Sequence, residues 1–239
     1  MKKSFSSAFE SPMETPLPLT ECRRDLYGLL SSAYIHIPQR NTLETGWEPA
    51  VRLLRFPQEE AGKAFQEIEN GLTFIRDYLS KRGLAPEESL IDLQKDWTYL
   101  FRGVKQKGPL PPYESLYRIG RLQGKPAQEM NRLFSKMGIN VPEEWHQPPD
   151  YIGVELDFMR LLCEKEREAR EKTEREALRE ALENEKSFLQ EHLALWVPVF
   201  CEKMMEQARE GFYRGIALIT KGLVHSDRIY VTAIVLGPA

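Results

Sequence analysis

Four histidines, His36, His146, His192 and His225, are the first candidates for proton transfer or metal ligation, and no two stand at helical ligand spacing. Glu143-Glu144-Trp145-His146 supplies one Glu-x-x-His pair, whereas a di-iron bundle needs that pair twice with two further inward carboxylates. This copy lies between Pro142 and Pro148, in a stretch that reads as a loop. Cys22, Cys163 and Cys201 are widely separated and odd in number. They suit buried apolar positions in a reducing compartment, not a disulfide set or a zinc site. Neither the glycine-rich phosphate loops nor the Gly-x-Ser-x-Gly elbow occurs. The sequence therefore predicts no catalysis, no metal and no other cofactor. Arg23-Arg24 resembles an export doublet, but Asp25 and the amphipathic segment that follows make it read as solvated helix charge.

The elements that must position any remaining site are helical. Leu26, Leu29, Leu30, Ala33 and Tyr34 fall on one helix face. Val51, Leu53, Leu54 and Phe56 predict a short helix before Pro57. Ala61, Phe65, Ile68, Leu72, Ile75 and Leu79 repeat at three and four, and Pro86 opens another helix, with stripe Leu90, Leu93, Trp97, Leu100 and Phe101. Residues 103–112 hold three prolines and two glycines and predict the main internal break. Short helices are predicted over 113–122 and 126–137, a loop over 142–149, then a helix carrying Ile152, Leu156, Met159 and Cys163. The run 164–186 is dominated by charge and reads as an exposed helix with i,i+4 pairs such as Glu168 with Lys172. Leu189, Leu193, Trp196, Phe200 and Met204 mark the next helix, and the last is placed near 207–223. Ile229 to Leu236 has strand-like composition with no obvious pairing partner.

The expected fold class is thus all-α, a bundle of about ten helices. Residues 1–19 are expected to be a mobile tail. Residues 20–223 form one domain, with an N-terminal lobe 20–102, the loop 103–112 and a C-terminal lobe 113–223; residues 224–239 form a C-terminal tail. Lys and Arg number 33 against 36 Asp and Glu, a net charge of −3, which argues against a nucleic-acid partner. No run approaches the ~18 apolar residues of a membrane span. Met1-Lys2-Lys3 is not followed by an apolar core, so a cytoplasmic location is expected.

Four blocks carry more information than any single residue: Trp97-Thr98-Tyr99-Leu100-Phe101-Arg102-Gly103, Pro111-Pro112-Tyr113-Glu114-Ser115-Leu116-Tyr117, Pro149-Asp150-Tyr151 with Glu155-Leu156-Asp157-Phe158-Met159, and Phe188-Leu189-x-x-His192-Leu193-x-x-Trp196. In content and order they resemble the TorD/DmsD/NarJ family of redox-enzyme maturation chaperones, over roughly residues 20–222. The resemblance implies a TorD-like helical fold. It also implies a cytoplasmic chaperone that binds the twin-arginine leader, and often the apo form, of a molybdenum-dependent oxidoreductase and delays export until the cofactor is inserted. The family usually has His after Pro-Asp, where this chain has Tyr151. Tyr keeps a ring and a hydroxyl but gains no positive charge near neutral pH.

A twin-arginine leader joins two guanidinium groups to an apolar segment, so a receptor needs carboxylates beside apolar surface. The expected peptide site is Trp97, Leu100, Phe101, Pro112, Tyr113, Glu114, Pro149, Asp150, Tyr151 and Glu155. Each residue also has a purely structural role open to it. Trp97, Leu100 and Phe101 fit a core stripe, Asp150 fits a helix N-cap, Glu155 a partly buried carboxylate needing a partner, and His192 a hydrogen-bonded core histidine. The other function the sequence allows is a helical assembly subunit that docks on a redox enzyme without binding its leader. Monomer and lobe-exchanged homodimer are both left open.

Overall fold

Helical periodicity becomes helix in the computed structural model, which describes residues 17–41, 59–82, 86–102, 109–139 and 147–236. The elements are α1 (Leu17–Ile35), α2 (Glu59–Arg82), α3 (Pro86–Phe101), α4 (Glu114–Ile119), α5 (Lys125–Met137), α6 (Ile152–Glu171), α7 (Arg175–Phe188), a π-helical turn (Leu189–Leu193), α8 (Ala194–Gln207) and α9 (Gly211–Leu236). Among the described residues there is no strand, only an isolated antiparallel bridge between Tyr113 and Tyr151. The class is all-α, as the periodicity predicts. The short helix expected near 51–56 and the metal-like Glu143–His146 stretch lie outside the described residues.

Burial of the stripes decides the packing. α1 lies along α6, and α2 lies along α9, so helices from either side of the 103–112 break are interleaved in space. Leu26, Leu30, Tyr34, Ile68, Ile75, Leu93, Leu156 and Met159 all enter one continuous core. The α2–α9 contact is close enough to exclude side chains: a Cβ on Gly215 would lie 2.6 Å from the carbonyl oxygen of Gly71. Glycine there removes the atom that would force the helices apart.

Three sequence expectations are corrected. The C-terminal tail is helical to Leu236, because Tyr230, Val231 and Ile234 are buried on α9, and helix packing overrides their strand preference. At the other end, α1 begins at Leu17, with Leu19 already in the core, so residues 17–19 belong to the helix. The charged run 164–186 is two helices, not one, separated by a turn in which Thr173 has φ 59°. Nor is it uniformly solvated, since Glu166, Arg170 and Glu185 are buried.

Arg23 explains why. It is fully buried, contrary to the reading of Arg23-Arg24 as a solvated pair. Its Nε donates to Asp227 at 2.5 Å and its Nη1 to Glu166 at 2.6 Å, while Nη2 donates to Glu185 and to Asp227 at 3.1 Å. The ring of Tyr230 lies below it, 5.2 Å from the guanidinium carbon. One guanidinium thus ties α1 to α6, α7 and α9. Arg24, one residue on, is half-buried at the surface and pairs with Asp25 and Glu164.

Candidate functional site

The three predicted segments meet at the C-terminal end of α1. A helix end leaves its last four carbonyls without intrahelical donors. Trp97 Nε1 donates to Ala33 O at 3.2 Å, and the Tyr151 hydroxyl donates to Tyr34 O at 2.7 Å. Phe101 packs edge-on against the rings of Tyr34 and Tyr213, at 5.3 and 5.5 Å between centroids. Gly153 lets α6 start directly on α1, since a Cβ there would come within 2.5 Å of Ile35. The hydroxyl that stands where the family usually has an imidazole is therefore a cap for α1.

The proline segments are tied by the Tyr113–Tyr151 bridge. Glu114 N donates to Asp150 O at 2.9 Å and Ile152 N to Pro112 O at 3.0 Å, with the two tyrosine rings 5.4 Å apart. Asp150 is a helix cap, but of a different helix from the one it precedes. Its Oδ2 accepts from the amide of Ser115, in the first turn of α4, at 3.0 Å. Its Oδ1 is buried and has no donor, and Ser115 Oγ and Glu155 Oε1 are likewise buried without an amide or hydroxyl partner. Eight predicted site residues, Trp97, Leu100, Phe101, Pro112, Glu114, Asp150, Tyr151 and Glu155, are interior, while Tyr113 and Pro149 are half-buried and reach the surface.

Next to this junction lies a polar cluster that sequence spacing did not predict. His192 is buried, as a hydrogen-bonded core histidine should be, and its Nδ1 lies 2.9 Å from Glu114 Oε2. Arg118 Nη1 donates to Glu114 Oε1, and Trp196 Nε1 donates to Glu155 Oε2 at 3.0 Å. Glu155, read from sequence as partly buried, is fully enclosed. Burial works to raise the Glu114 carboxyl, but His192 and Arg118 outweigh it and hold it below the usual range. Burial first, then the adjoining Glu114 carboxylate, push Glu155 well above that range. His192 sits on the π-helical turn, whose wider winding shifts the residues after it around the axis. The signal available in the sequence was the block Phe188 to Trp196; its partner Glu114, 78 residues away, was not legible as such.

Beside His192 opens a groove of about 660 Å³ lined by α4, α5, α6, α7 and the π turn. Its floor includes Leu133, Phe158 and Phe188, and its rim includes Arg118, Arg132 and Lys136. No described helix is long and apolar enough to cross a membrane.

The described residues form a helical body with an acidic junction beside apolar surface, and the proteins it resembles are named chaperones. The chain is 28% identical over 224 residues to the chaperone protein TorD of Vibrio parahaemolyticus, spanning 92% of this chain and 99% of that protein. It is 36% identical over 129 residues to TorD of Photobacterium profundum, 53% of this chain and 58% of the relative. With TorD of Vibrio cholerae strain M66-2 it shares 29% over 211 residues, 88% and 92% of the two chains. Residues 58–202 match the family described as nitrate reductase delta subunit, and the chain belongs to that family.

Proposed function

We propose that this chaperone binds the twin-arginine leader of a molybdenum-dependent oxidoreductase in the cytoplasm and holds the apo-enzyme back from export until its cofactor is inserted. The observation that carries the reading is Asp150 Oδ1, a buried charged acceptor without a donor at the junction of the predicted segments. Tyr113 and Pro149, half-buried over that junction, are the groups an incoming peptide meets first. A guanidinium brings donors in a planar fork and supplies what Asp150 lacks. Its approach opposes the N-terminus of α4, so the carboxylate must outweigh that short dipole. Tyr113 and its neighbour Gln147, joined by a 3.2 Å hydrogen bond, must part to admit it. Such opening weakens the net affinity and suits a client that is later released; a dissociation constant near 1 µM corresponds to about −8 kcal/mol.

Asp150→Asn tests this. Asn can still accept from Ser115 N, so the α4 cap survives, while the charge is gone. Calorimetry with an isolated twin-arginine peptide should show a loss of about 1.5–3 kcal/mol with little change in melting temperature. Unchanged affinity would reduce Asp150 to a cap. Failure of the wild type to bind the peptide while still binding the apo-enzyme would favour the assembly-subunit function instead.

A further inference from the structure

We propose that Glu114, Glu155 and His192 form a binding site for one divalent transition-metal cation. The proposal does not rest on leader binding. One candidate ligand atom from each residue lies within 4.8 Å of the other two, and all three side chains are buried. Two carboxylate oxygens and one imidazole nitrogen are the donor set that suits zinc and its first-row neighbours.

Three further observations point to an ion rather than to packing alone. Glu155 Oε1, in a fully enclosed side chain, accepts from no amide or hydroxyl, and the group beside its carboxyl is the Glu114 carboxyl. Its other oxygen is held by Trp196 Nε1, while Glu114 is held by Arg118, so both carboxylates are oriented by groups outside the ligand set. The charges also leave room for a cation: three buried carboxyl groups, Glu114, Glu155 and the neighbouring Asp150, stand beside one guanidinium, that of Arg118.

The geometry needs adjustment in both directions: ligand atoms that stand up to 4.8 Å apart must close, and the His192–Glu114 pair must open. A tetrahedral ion with bonds of about 2.0–2.1 Å holds two ligand atoms roughly 3.4 Å apart. His192 Nδ1 and Glu114 Oε2 stand 2.9 Å apart, so the ion must widen that pair by about half an ångström. Phe188, stacked on the His192 ring at 5.1 Å, keeps the imidazole plane as it moves. His192 lines the groove, which gives an ion its way in.

Chelator-treated full-length protein is titrated with zinc chloride by calorimetry, together with Glu155→Gln, His192→Gln and, as a control, His225→Gln on the exposed side of α9. One zinc should bind per chain, each ligand variant should weaken it at least about tenfold, and the control should bind as wild type does. X-ray absorption on zinc-loaded wild type, which needs no variant to fold, should show one imidazole with oxygen neighbours. No binding at about 1 mM zinc overturns the proposal, as does unchanged affinity in both ligand variants, or a sulfur or imidazole-free shell. Glu155→Gln that only raises the melting temperature, with no ion bound by wild type, would make the cluster a proton-sharing carboxyl pair.

Discussion

Replacing Arg23 with methionine removes the guanidinium that ties α1 to α6, α7 and α9 at once, and the structure sets how much this costs. Four charge-assisted hydrogen bonds disappear. At about 1.5–3 kcal/mol each they would sum to roughly 6–12 kcal/mol, which is an upper bound. The acceptors do not all become orphans. Glu166 keeps Arg170, at 2.8 and 2.6 Å, and Thr20 at 3.1 Å. Asp227 keeps the Tyr27 hydroxyl at 2.8 Å. Glu185 is left with nothing, since its Oε1 already has no donor, and burial pushes it to take up a proton. The net cost then falls in the range for breaking a buried pair, about 4 kcal/mol, a large part of the ~5–15 kcal/mol available to a folded chain. In urea unfolding followed by circular dichroism the midpoint should drop by about 1.5 M. Arg24→Met, which breaks surface pairs that water still reaches, should cost about 0–1 kcal/mol. Adding Glu185→Gln to Arg23→Met should recover at least about 1 kcal/mol. If the two arginine variants are equally mild, the buried-network argument is wrong.

Two further substitutions test other parts of the fold. Gly215→Ala drives a methyl into the Gly71 carbonyl and should destabilise by about 1–3 kcal/mol, whereas Gly62→Ala, with open space around it, should be neutral or stabilise by up to about 1 kcal/mol; equal effects would refute the close α2–α9 approach. Glu164 is held down at about 2, first by the hydrogen bond from Arg167 and then by Arg24, from an ordinary value of 4.5. A folded value below the unfolded one means that its stabilisation is present above about pH 4.5 and fades as the pH falls towards 2. The melting-temperature gap between wild type and Glu164→Gln should therefore shrink across that window, and a constant gap would contradict the assignment.

What the sequence determined by itself was whatever depends on local spacing. The three-and-four repeat at Phe65 to Leu79 became α2, Pro86 opened α3, and α5 ended at Gly138, because periodic burial and backbone geometry act within one turn or two. Block order likewise exposed the family. The identity of the junction residues was legible, but their direction was not. Asp150 precedes α6 and caps α4; Trp97 and Tyr151 carry polar atoms whose partners are carbonyls at the end of α1. Only the tertiary structure separates Arg23 from Arg24. The two are chemically identical and adjacent, yet a step of one residue turns a helix by about 100°. That rotation sends Arg23 into three carboxylates brought from positions 166, 185 and 227, and leaves Arg24 at the surface. The same reason hides Glu114, Glu155 and His192 from any motif search. Partners that lie dozens of residues apart meet only when α4, α6 and the π turn pack, and no local spacing encodes that meeting.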